Sequence, residues 1–186
     1  VLHNVNTMSS KLHEGYDIIP LRIERNKPYA QLECSIQGDT THSLSFLFDT
    51  GSAVPIIVYD DRADINIPDS TLAGNIGHGL GGWLLGRSAK IHSLKLGNYV
   101  LQQPIVYFQD VQSLQDTLFV DARDGLIGGD LLDAFSVIID YVHSVAYLKG
   151  NKHWQDPIDY DRSGMTVMSY GHQLNRFIVQ NVIPDS

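Results

Sequence analysis

Apolar and polar residues alternate in short runs along most of the chain, and a period of two is the mark of strands with one face buried. The runs at 17–23, 29–36, 43–48 and 55–59 are separated by Arg25-Asn26-Lys27-Pro28, Gly38-Asp39 and a turn around Asp49. Further strands fit 88–96, 99–108 and 119–122, with Leu96-Gly97-Asn98-Tyr99 as a hairpin turn between the first two. The runs 137–140 and 145–148 pair about Tyr141-Val142-His143-Ser144, and 165–168 and 176–182 are strand-like again. The pattern predicts one short helix, at 129–135, where Asp130 is placed to cap and Leu131, Leu132 and Phe135 share an inward side. The expected class is all-β.

Glycine and polar stretches divide this pattern. Residues 1–15 are polar and aperiodic, which suits an N-terminal arm; 16–149 carry the strands; 150–163 turn polar and read as a linker; 164–186 hold the last strands. Residues 73–86, AGNIGHGLGGWLLG, contain six glycines among fourteen positions, a density that favours a mobile hairpin or lid over a core element. Their order is not that of a phosphate cradle: no Gly-x-x-x-x-Gly-Lys-Ser/Thr occurs, and no Gly-x-Gly-x-x-Gly opens a helix.

Composition narrows the function classes. The chain has 186 residues, 43% of them apolar, and no stretch has the 18 or more apolar residues of a membrane helix. Thirteen basic against twenty-one acidic side chains give a formal charge of −8 without a basic cluster, so nucleic acid is not an expected partner. Cys34 is the only cysteine and lies in a strand pattern, so a buried inert thiol is favoured over a reactive one. The eight histidines form no His-x-x-x-His or His-Glu-x-x-His pair, and no metal site or cofactor is expected. His78 alone falls in the glycine-rich hairpin, where a solvated loop histidine is favoured over one that tunes pH dependence. Gly51-Ser52-Ala53 is not a nucleophile elbow, which sets serine hydrolase chemistry aside.

The candidate chemistry is a carboxylate. Asp49-Thr50-Gly51 ends the apolar strand SLSFLF, and a strand end that delivers a carboxylate into a glycine turn aims an acid–base group at a partly dry place. Asp-Thr-Gly is also an ordinary turn sequence. The second segment, GLIGGDLLDAFSVIIDYVHSVAYL from Gly125, shifts the balance: two apolar residues and a glycine let a strand pass under the Asp49 loop with no side chain in the way.

LFDTGSAVP at 47–55, the glycine-rich 77–86 and DGLIGGDLLDAFSVIIDY at 124–141 together resemble the retropepsin-like aspartic proteases, single-lobe acid proteases of viruses and bacteria. The resemblance covers about residues 16–149, with a longer interval, about 75 residues, between Asp49 and Leu126 than in the compact viral enzymes. It implies a single-lobe acid-protease barrel with a glycine-rich flap hairpin and one short helix. It implies that Asp49 is catalytic, that Thr50 locks two active-site loops together, and that Gly51 admits close backbone approach. It makes Leu126, Ile127 and Gly128 the support of that loop, and Ile76, Gly77, His78, Gly79, Leu80, Gly81 and Gly82 the flap.

Such chemistry needs two carboxylates, and the sequence has one Asp-Thr-Gly. The expected activity is therefore aspartic endopeptidase action on a peptide or protein substrate, by an Asp49 pair formed across a twofold homodimer. The alternative is a non-catalytic peptide-binding module of the same fold. The tail GHQLNRFIVQNVIPDS resembles the opening of a PDZ domain, as found after such proteases in bacterial exported proteins, with extra strands on the protease lobe equally expected. Both ends read as cut from something longer, and an exported compartment is favoured over the cytoplasm.

Overall fold

The computed structural model describes residues 13–38, 40–61, 65–79, 82–111, 123–156 and 165–182. The chain enters through β1 (Asp17–Glu24) and β2 (Lys27–Ser35), a hairpin whose turn places Arg25 and Asn26 at positive φ, the twist a tight two-residue connection requires. Then come β3 (Thr41–Asp49), β4 (Ile56–Tyr59), the hairpin β5 (Leu72–Gly79) and β6 (Gly82–Lys90), β7 (Ser93–Leu96), β8 (Tyr99–Gln102) and β9 (Ile105–Gln109). After them β10 (Gly125–Gly128) leads directly into α1 (Gly129–Leu132), followed by β11 (Phe135–Asp140) and β12 (Val145–Gly150).

Two expected strands are each divided. The run at 88–96 breaks after Lys90, where the Ile91 amide donates to the Pro104 carbonyl. The run at 99–108 breaks at Gln103-Pro104, where Gln103 has φ near +50° and proline has no amide to give a ladder. Alternation alone did not see either bend. The strand expected at 119–122 lies outside the described residues.

Ten strands form one path in the order β11-β12-β1-β2-β3-β10-β4-β9-β6-β5, with β7 on β2 and β8 on β7. This corrects the expected barrel: the path is open. Closure requires the terminal strands to pair with each other, whereas β11 pairs with β12 and β5 with β6, and neither has a second strand among the described residues. The domain is mostly β-sheet with one short helix. That helix has Gly128, not Asp130, at its N-cap, and no side chain caps it; the amide of its first residue, Gly129, is met instead by a backbone carbonyl, that of Ser52.

Alternation sorts the side chains onto two faces. Phe46, Phe48, Ile56, Val58, Phe108 and Ile127 join the larger core, which α1 covers with Leu131 and Leu132. Tyr29, Leu47, Ile57, Tyr59 and Leu126 face the other way in a smaller cluster. Around the larger core, Tyr99 meets Phe135 and Trp154 edge-on, and its hydroxyl accepts from the Gly150 amide at 2.8 Å. Trp154, placed in the expected linker, therefore packs against the lobe.

β13 (Met165–Tyr170) and β14 (Arg176–Val182) form a separate two-stranded sheet, with an irregular register at Thr166/Val167. Val167, Met168, Phe177, Ile178 and Val179 are exposed on it.

Candidate active site

Asp49 is the last residue of β3, and β10 runs parallel beside it with Gly128 opposite Asp49 and Leu126 opposite Leu47. On its other edge β10 pairs antiparallel with β4. Thus the strand that follows the Asp49 loop and the strand that precedes it are joined through a third, and the loop is closed underneath. Gly125, Leu126, Ile127 and Gly128 are all buried. A β-carbon at Gly128 would overlap the Val54 carbonyl oxygen, and one at Gly125 would overlap that of Ile57. β10 thus lies against the β3–β4 segment most closely at Gly125 and Gly128, where no side chain fits.

Backbone hydrogen bonds fix the loop itself. The Gly129 amide donates to Ser52 O at 2.6 Å, the Gly128 amide to Pro55 O at 2.9 Å, and the Ser52 amide to Asp49 O at 3.2 Å. The Val54 amide donates to Ser52 Oγ at 3.3 Å. At the lower end of the same strand pair, the Ser45 amide donates to Asp124 Oδ2 at 2.7 Å and the Asp124 amide returns a bond to Ser45 O at 2.7 Å. The parallel register is pinned at both ends. The sequence assigns no loop-holding role to Ser52 or Asp124, since serine and aspartate beside glycine carry no more than a turn signal.

Asp49 is half-buried, and its Oδ1 accepts from the Gly51 amide at 3.0 Å. Thr50 and Gly51 are exposed at the tip of the loop. Two residues beyond Leu47 on the same strand, Asp49 lies on the side of the sheet that carries Leu47 and Leu126. The Asp49 carboxylate thus projects on the same side as buried apolar residues of the smaller cluster. Among the described residues no second carboxylate completes a catalytic pair, and no group of three or more His, Cys, Asp or Glu is placed to hold a metal ion.

The glycine-rich segment forms the expected hairpin. Ile76, Gly77, His78 and Gly79 lie on β5 and Gly82 on β6, while Leu80 and Gly81 lie outside the described residues. Its register shifts between Asn75 and Gly77, so Ile76 is an extra residue on β5. Ile76 is buried, and Gly77 approaches the Asp49 loop: a β-carbon on it would sit 3.2 Å from Val54 Cγ2. The hairpin and the carboxylate loop are therefore in contact. Cys34 is fully buried, and burial pushes its thiol up to about 12, which fits the inert reading.

The sequence profile of a family described as "Aspartyl protease" matches residues 32–131, more than half of the chain. No curated protein matches. Among solved structures the chain is similar to basic 7S globulin from soybean, at 10% identity with a TM-score of 0.48, over 88% of this chain and 58% of that one. The chain thus spans less than two thirds of that structure's length.

Proposed function

The chain belongs to the aspartyl protease family, and on that premise we propose that a single copy is a peptide-binding lobe that hydrolyses peptide bonds only when a second copy adds its own Asp49. The observation that carries this reading is the lone Asp-Thr-Gly loop: its carboxylate is held by the Gly51 amide, its tip is exposed, and no partner carboxylate stands beside it among the described residues. Binding needs only the apolar residues on that side of the sheet and the hairpin. Hydrolysis needs two carboxyl groups that share a proton.

In the paired state two exposed loops meet around a twofold axis, which puts like side chains face to face. One Asp49 carboxylate takes a proton from water as the oxygen attacks the scissile carbonyl, and the other carboxyl gives its proton to the carbonyl oxygen. The tetrahedral diol then collapses, with a proton passing to the amide nitrogen as the C–N bond breaks. No covalent bond to the protein forms. An extended peptide lying between the loop and the β5–β6 hairpin would be held by main-chain pairing, its side chains reading the pockets.

Asp49→Asn separates binding from hydrolysis. The variant should bind an unstructured peptide with nearly unchanged affinity and cleave none of it. Wild-type turnover should fall faster than in proportion on dilution, in step with dissociation seen by sedimentation. Peptidase activity in a wholly monomeric sample, or in Asp49→Asn, would overturn the assignment.

A further inference from the structure

We propose that Asn75 is a positioning residue that seats the β5–β6 hairpin on the Asp49 loop; the proposal rests on the function assigned above and adds to it a determinant of how the cleft is set. Asn75 Oδ1 accepts from the Gly77 amide at 3.0 Å, which bridges the one residue, Ile76, by which β5 exceeds β6. A bulge of this kind re-aims the strand beyond it. Here it turns two neighbouring residues to opposite tasks. Ile76 drives inward, where its Cδ1 lies 3.0 Å from the place a Gly86 β-carbon would occupy, close to the Phe108 carbonyl. Gly77 is left against Val54, with room for no more than a hydrogen at its α-carbon before the valine methyl must move.

The contact chain is continuous from the hairpin to the Asp49 backbone. Asn75 holds Gly77, Gly77 abuts Val54, the Val54 amide is held by Ser52 Oγ, and the Ser52 amide donates to Asp49 O. Without the bridge, the side-chain bond that spans the register shift between Asn75 and Gly77 is lost, and the bulge is less firmly fixed against sliding. A slide of one residue would present a side chain, not a glycine, to Val54. The sequence signal is an asparagine two residues before a glycine, a side-chain turn that a glycine-rich segment does not otherwise need.

The test compares Asn75→Leu, similar in size without an acceptor, with Asn75→Asp, which keeps one. Gly77 amide exchange should quicken about two- to tenfold in Asn75→Leu, and the Val54 methyl and Gly51 amide resonances should shift. In the peptidase assay kcat/KM should fall by a similar factor, chiefly through KM. Asn75→Asp should restore both. Unchanged exchange and resonances in Asn75→Leu, or equal disturbance by Leu and Asp, overturn the proposal. If the wild-type protein cleaves no peptide, the functional reading fails by itself, and the exchange and resonance data still decide the role of Asn75.

Discussion

Gly128 stands opposite Asp49 in the parallel register of β10 on β3, and its α-carbon is pressed against the Val54 carbonyl with no space for a side chain. The carboxylate is thus aimed by a backbone that comes closer than any other residue type permits. Gly128→Ala should force the Val54 segment away from β10 and destabilise the lobe by about 3 kcal/mol, the range of an overpacked core. Urea unfolding should show a lowered midpoint with an unchanged slope. An unaltered midpoint would mean that the loop yields without cost.

Asp140 offers a pH test away from the site. Its carboxylate is 8% exposed and sits at the β11–β12 turn, where it accepts from the His143 amide at 2.9 Å, from Val142 at 3.0 Å and from His143 Nδ1 at 2.6 Å. The His143 amide, then its ring, hold the carboxyl below its ordinary value against the opposing effect of burial. A lowered folded-state value means that the stabilisation is complete above the unfolded value, about 3.9, and is lost as pH falls through the folded one. The melting temperature of Asp140→Asn should therefore lie below that of the wild type at neutral pH, and the gap should narrow below about pH 4. A gap that is constant across that range would contradict the assignment.

How much of this was legible in the sequence depends on how far each signal is local. The Asp49 turn and the β5–β6 hairpin each occupy one short segment whose residue types carry their own signal. Chain direction in pairing is not local: nothing near Phe46 says that Gly125 will run parallel to it, since that depends on where the intervening residues 47–124 return the chain. Openness of the sheet is less local still, because it is decided by what the first and last strands of the path meet. Asn75 and Val54 fall between these cases, with a visible turn signal and an invisible partner.

Cys34 is a reporter of global unfolding. With no exposed surface and its ionisation pushed up to about 12, the thiol should be silent to a thiolate-specific reagent at pH 8 in the folded lobe. Its labelling rate should instead track the unfolded population as denaturant is added, and coincide with the optical transition. Rapid labelling in native buffer would place the thiol in a locally open strand. The same shift gives a sign at alkaline pH: stability tied to this group is complete below the unfolded thiol's value and declines as pH rises toward the folded one.

Mixing experiments count the carboxylates in the active unit. If one Asp49 from each copy is required, an Asp49→Asn chain is not a bystander, because every wild-type chain it captures loses its second carboxylate. At equal amounts and free exchange, about a quarter of the pairs are wild-type on both sides. Turnover per wild-type chain should then fall to about half of its value in the unmixed enzyme at the same total protein concentration. A lobe that cleaves as a monomer gives full turnover per wild-type chain at every ratio. Replacing Asp49→Asn by an unrelated protein at the same concentration should give the turnover of wild-type enzyme alone at that wild-type concentration, which separates subunit exchange from crowding. Full turnover per wild-type chain in a mixture shown by native mass spectrometry to contain mixed pairs would remove the shared-proton mechanism, and with it the need for a second copy.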